Sequence, residues 1–255
     1  MSMLIHKLGI YSPAMQLSHY YSATENKFQF TREQASNFAK QIAGDFNPIH
    51  DEDAKRFCVP GDLLFAVLLS KTGISQKMRF DFAGMVSNDV DLTIVDSGNE
   101  NALTDDSGKE YLHVTRSGDV NKNPEFINQV VQSYVQFSGM NFPHIMVPLM
   151  EEQQMMINTT RPLVIYESME LEFTKLDLSN PEVEFAGATM DVDGKRGVVS
   201  LNFCFKENGE KVGTGIKRMV ASGLKPYQQD AIDDLVHRFA VRKEEFAAKW
   251  ETKAA

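Results

Sequence analysis

The run Leu63-Leu64-Phe65-Ala66-Val67-Leu68-Leu69 is apolar on every face of the helix it predicts. A helix of that kind has no side to offer water, so other elements must surround it. Pro60-Gly61-Asp62 sets its start, with Asp62 placed to cap it at a stabilisation of about 1 kcal/mol. After it, Met78 to Val86, Asp89 to Asp96 and Glu110 to Ser117 alternate or cluster β-formers. Gly98-Asn99 and Asp106-Ser107-Gly108 supply turn chemistry between them. The expectation is a buried helix wrapped by an antiparallel sheet.

The pattern then recurs. Pro124-Glu125 introduces a helix bearing Phe126, Ile127, Val130, Val131, Tyr134, Val135 and Phe137. Strand candidates follow over residues 163–174, 183–191, 197–206 and 211–221, with Asp193-Gly194 and Asn208-Gly209 as hairpin signals. A helix with about four strands, occurring twice, predicts an α+β double hot-dog. The organisation expected is an N-terminal arm (1–22), a first hot-dog (23–123), a second (124–223) and a C-terminal amphipathic helix (224–255). In that last helix Ile232, Leu235, Val236, Phe239, Phe246 and Trp250 fall at helical spacing, for packing on the sheet or on a partner subunit.

Ahead of the buried helix, Lys27 to Phe30 alternates as a short strand, and Thr31 opens a helix with Gln34 at the capping-box position. Ala35, Phe38, Ala39 and Ile42 form its apolar face, and Gly44 ends it. Next comes Asp45-Phe46-Asn47-Pro48-Ile49-His50. Pro48 lacks an N–H and biases Asn47 toward extended backbone, so these residues form a shaped turn rather than helix. A carboxylate and an imidazole held on such a turn suit proton transfer. The acidic spacing also invites a calcium reading, but an EF-hand loop needs Gly and Glu where this chain has His50 and Arg56. No metal is expected.

Phe38-Ala39, the heptapeptide Gly44-Asp45-Phe46-Asn47-Pro48-Ile49-His50 and the following Phe57 together resemble the signature of the MaoC-like, or (R)-specific, enoyl-coenzyme A hydratases. The resemblance implies a hot-dog lyase that adds water to trans-2-enoyl thioesters to give (R)-3-hydroxyacyl thioesters, or runs the reverse dehydration. It implies Asp45 and His50 as the catalytic pair, with Asn47 orienting them by hydrogen bonding. It also implies the Gly61 N–H, at the start of the buried helix, as the donor to the thioester oxygen. No resident cofactor follows, because coenzyme A or acyl carrier protein arrives with the substrate. Two departures stand out. Pro60 replaces the family's His before the glycine, and Asp62 places an acid where an anion would oppose enolate charge. The second half has no such signature and reads as the non-catalytic half. Two further readings are an acyl-thioester binding or regulatory protein without turnover, and a hot-dog thioesterase in which Asp45 directs water at the carbonyl.

Composition narrows the partners. Hydrophobic residues at 42% and charged residues at 24% of 255 suffice for a large core, and a net charge of -9 argues against a nucleic-acid or anionic-membrane surface. Cys58 and Cys204 form no framework, which favours a reducing cytoplasm. Neither a signal peptide nor a bilayer-length apolar span is visible in the sequence. Monomer and homodimer are both compatible, and the apolar face of residues 232–250 favours a dimer. His113 and His144 read as structural. Tyr134 and the Met-rich stretch 140–156 read as core, with an acyl-pocket lining as the alternative.

Overall fold

The computed structural model describes the backbone of residues 15–254 and the side chains of residues 15–248. Residues 1–14 of the expected arm and the Trp250 side chain lie outside the described residues. The first half comprises β1 (Ser22–Ala23), β2 (Phe28–Gln29), α1 (Arg32–Asn37), α2 (Gly61–Thr72), β3 (Ile74–Phe82), β4 (Leu92–Asp96), β5 (Glu100–Asp105) and β6 (Glu110–Asn121). The second comprises α3 (Pro124–Gly139), α4 (Val147–Glu152), β7 (Met155–Met156), β8 (Val164–Phe173), β9 (Glu182–Asp193), β10 (Arg196–Glu207), β11 (Glu210–Ser222), β12 (Lys225–Pro226) and α5 (Gln229–Ala254).

Strand order defines the architecture. One 10-stranded sheet runs β1-β2-β4-β5-β6-β3-β8-β11-β10-β9, antiparallel throughout. The strands after α2 lie in the order first, fourth, third, second, reading outward from the middle of the sheet. After α3, β8 to β11 follow the same order on the other side, while β7 and β12 pair separately. The two sets meet where β3 pairs with β8, Met78 opposite Leu171 and Phe80 opposite Met169. This is a double hot-dog with pseudo-twofold connectivity, as the repeated helix-and-strands pattern predicts.

α2 is buried from Asp62 to Leu69, with Leu63, Phe65, Leu68 and Leu69 all sealed from solvent and Ser70 and Lys71 exposed at its end. Each such side chain contributes about 1.5–3 kcal/mol on leaving water. Its neighbour α3 belongs to the same core, and Phe65 meets Tyr134 edge-on at 5.0 Å and Phe80 at 5.1 Å. A second apolar cluster gathers Met146, Met150, Met156, Met190 and Met219 with Ile232 of α5, so Met146, Met150 and Met156 of the Met-rich stretch are core residues. Met140 is exposed.

The structure corrects the sequence reading at several points. β5 was not predicted, because Glu100-Asn101-Ala102-Leu103-Thr104-Asp105 holds few β-formers. Its place comes from ladders on both sides, with β4 and with β6. β3 begins at Ile74 rather than Met78, since Gly73, at φ 84°, breaks α2 directly into the strand. The expected linker after α3 contains α4. The described end of the arm is docked: Met15 is buried in the first core, and the Tyr20 hydroxyl donates to Gln41 Oε1 at 3.1 Å.

Candidate functional site

The turn carrying Asp45 and His50 is fixed from several directions. α1 opens with the predicted capping box, in which the Gln34 N–H donates to Thr31 Oγ1 and the Thr31 N–H donates to Gln34 Oε1. A π-type turn over Phe38–Ala43 continues α1 and stops at Gly44, whose φ of 67° a side chain would oppose. The Asp45 N–H folds back onto the Ala39 carbonyl at 2.8 Å. Pro48–His50 then forms a single 3-10 turn, with Asn47 Oδ1 accepting from the Ile49 N–H at 3.2 Å. The Asn47 N–H donates to Asp45 Oδ1 at 2.8 Å. Asn47 therefore shapes the turn and aims the Asp45 carboxylate.

His50 is oriented by backbone. A carbonyl can only accept, so His50 Nδ1 donates to the Cys58 carbonyl at 2.6 Å, and in the neutral ring Nε2 is left as an acceptor. Nε2 faces Asp45 Oδ2 at 3.6 Å, with both side chains partly open to solvent. Two acceptors at that separation do not bond directly, but both can hold one water.

Cationic side chains clamp the end of the turn. Asp51 is mostly buried, pairing with Lys40 at 2.9 Å and with Arg242 from α5. The face of α5 predicted to pack on the sheet or a subunit is used within the chain. Phe239 and Phe246 meet Phe46 edge-on at 5.8 and 5.9 Å, so the helix crosses the dyad-bearing turn. Phe239→Ala also loses a contact with Phe142. It is expected to cost about 1–3 kcal/mol, visible as a lowered melting temperature.

Burial pushes the Cys58 thiol from its usual value near 9.0 up to about 11. Its thiolate is disfavoured in the folded protein, so iodoacetamide at neutral pH is expected to modify Cys58 only after denaturant is added. The folded pKa is raised, so this group's contribution to stability is full below about pH 9 and is lost as pH rises towards 11. A urea-unfolding series across that range checks the sign.

Asp62 does not cap α2. It lies in the first turn with Pro60 as the cap residue, and its Oδ2 accepts instead from Ser138 Oγ at 2.6 Å. Lys217 Nζ donates to the same Ser138 oxygen at 2.6 Å and sits 4.1 Å from the centre of the Tyr166 ring. Tyr166 stacks on Phe82 at 4.1 Å, and its hydroxyl meets that of Tyr134. Burial holds both phenols well above their ordinary range. Burial also raises the proton affinity of Asp62, a trend reinforced by Asp45 and opposed by Lys217, Ser138 and His50. Asp62 thus lies within electrostatic reach of the dyad. Gly61 is backed by Phe82 and Tyr166, each 3.1 Å from where a Cβ would stand.

Sequence reasoning missed Ser138, Lys217, Tyr166 and Arg242. Along β11, Gly213, Gly215, Lys217 and Met219 take buried alternate positions, yet Val212, Ile216 and Val220 make the other alternation the more apolar one, so periodicity gave no signal for an inward lysine. Surface clefts around Ser179 and Asn208, and at Gln228–Ala231, contain none of the site residues. Among the described residues no cluster suited to a metal ion occurs, and no helix is long and apolar enough to cross a membrane.

Fold and site together define a double hot-dog protein with an acid–imidazole pair on a loop of its first half. Residues 15–230 match the family model described as protein of unknown function (DUF3581), and the chain belongs to that family. No curated protein sequence matches it. Among solved structures it is similar to the tesB protein of Mycobacterium avium subs paratuberculosis, at 10% identity and a TM-score of 0.44, covering 80% of this chain and 97% of that one. It is also similar to a MaoC-like dehydratase, at 11% and 0.41, covering 81% and 99%. A conserved hot dog fold protein of unknown function from Alicyclobacillus acidocaldarius matches at 8% and 0.45, covering 84% and 99%. The fold assignment rests on the strand order described above.

Proposed function

We propose that this protein is a hydro-lyase acting on trans-2-enoyl thioesters of coenzyme A or acyl carrier protein, with Asp45 and His50 as its catalytic pair. The observation that carries the reading is the 3.6 Å gap between Asp45 Oδ2 and His50 Nε2, with the imidazole tautomer set by the Cys58 carbonyl. A water between them donates one O–H to each. His50 Nε2 removes a proton as the water oxygen bonds to C3, and the resulting imidazolium returns a proton to C2. Water is added overall, and both groups return to their starting state. Enolate charge on the thioester oxygen is met at the α2 N-terminus by the Gly61 N–H.

Following the conjugated-thioester absorbance of crotonyl-coenzyme A and longer enoyl thioesters tests this. Loss of absorbance without free thiol is the expected result, and free thiol release would replace the reading with a thioesterase. One observation favours the non-catalytic acyl-binding alternative: the stacked Phe82–Tyr166 pair crowds the back of Gly61. Saturable binding without turnover at any chain length would select it.

A further inference from the structure

Asp62 is an acidic residue within electrostatic reach of Asp45 and His50 that the water-addition chemistry leaves unused. It directly follows Gly61 in the first turn of α2 and is 9% exposed, while Lys217 is 6% exposed. An ammonium only donates, so Ser138 Oγ accepts from Lys217 and turns its own hydrogen to Asp62 Oδ2. Oδ2 is thereby committed as an acceptor. Asp62 Oδ1 is buried and, among the described residues, has no hydrogen-bond partner. Buried polar atoms without partners are rare, and this one lies in the first turn of the buried helix.

Of the groups that act on Asp62, Asp45 and His50 belong to the signature turn, Ser138 to α3 and Lys217 to β11, while Asp62 in turn acts on Tyr134 of α3 and Tyr166 of β8. The Lys217 cation, the Ser138 hydrogen bond, His50 and the α2 dipole favour the carboxylate, whereas burial and the Asp45 charge favour the acid, with burial the largest influence.

We infer that Asp62 carries a proton on Oδ1 and offers it as a hydrogen bond to the carbonyl oxygen of a bound acyl thioester, beside the Gly61 N–H. A carboxylic acid kept neutral by a dry site is a strong preorganised donor. On this reading the acid after Gly61 supports developing negative charge rather than opposing it. Ser138 and Lys217 act as positioning residues: they fix which oxygen accepts and leave the other to donate. Both come from the half of the chain without the signature, so the second hot-dog would complete the site of the first. The inference rests on the acyl-thioester reading of the site but does not require turnover.

Infrared difference spectroscopy at neutral pH tests it. The wild type is expected to show the carbonyl stretch of a protonated carboxyl group, absent from Asp62→Asn and shifted upward in Ser138→Ala, which removes the hydrogen bond to Oδ2. The Ser138→Ala spectrum decides the point even if Asp62→Asn fails to fold. A missing band, or one indifferent to both substitutions, overturns the inference. The second arm uses butyryl-coenzyme A, which has no double bond to hydrate. Its thioester carbonyl stretch is expected to fall on binding to wild type and to fall less with Asp62→Leu. Equal shifts, or no binding, overturn the donor role. A shift in wild type without enoyl turnover would sink the hydratase reading and leave the donor standing. Where turnover occurs, Asp62→Leu is expected to lose about a hundredfold in kcat/KM, and Asp62→Asn less, since its amide still donates.

Discussion

Asp45→Asn is expected to lower kcat/KM for enoyl-thioester hydration by about 10³-fold while leaving the melting temperature within a degree or two of wild type. The fold should tolerate the change because Asn keeps the side-chain oxygen that accepts from the Asn47 N–H, so the turn retains its internal bond. What it loses is the acceptor opposite His50 Nε2. An amide nitrogen there donates toward the imidazole and competes with the water both residues should hold. A variant that folds normally and turns over at the wild-type rate would remove Asp45 from the mechanism. Steady-state rates beside a thermal melt separate the two outcomes.

Gly139→Val is expected to damage both stability and activity. A Cβ at Gly139 would stand 1.8 Å from the Ala43 carbonyl oxygen, 2.6 Å from the Ala43 carbonyl carbon and 3.1 Å from the Asp45 nitrogen. All three are backbone atoms, so no rotamer change relieves the clash. Either α3 withdraws from the α1 terminus or the Asp45 turn moves. Overpacking of this kind costs about 1–3 kcal/mol, and at a backbone–backbone contact more. A shift of about 1 Å at Asp45 should cost about 10² in rate. Gly139→Ala should show the same trend at smaller size. Wild-type melting and turnover in Gly139→Val would mean that α3 does not support the turn as described.

Gly139 also marks where the sequence stops being informative. The α2 run, its recurrence near α3 and the hairpin turns were legible because burial on all faces and Gly-containing turns leave local signatures. The capping box at Thr31, the stop at Gly44 and the Pro48 turn could be read for the same reason, since each is written within a few residues. β5 could not be read, because its pairing partners rather than its own residues make it a strand. The clamp of Asp51 by Arg242, and the bonding of Asp62 to Ser138 with Lys217, join residues far apart in the chain. Local patterns do not encode such contacts. Asp62 illustrates the cost: its position in the first helical turn suggested a cap, yet tertiary contacts redirected its side chain into the core.

The central claim is that Asp45 and His50 direct a water molecule at C3 of an enoyl thioester. The most direct measurement is mass spectrometry of the products after incubation with crotonyl-coenzyme A in 18O-labelled water. The account predicts one 18O in an intact 3-hydroxybutyryl thioester, formed by wild type and lost with Asp45→Asn. Label in free crotonate, with release of coenzyme A, would contradict it by placing the water at the carbonyl.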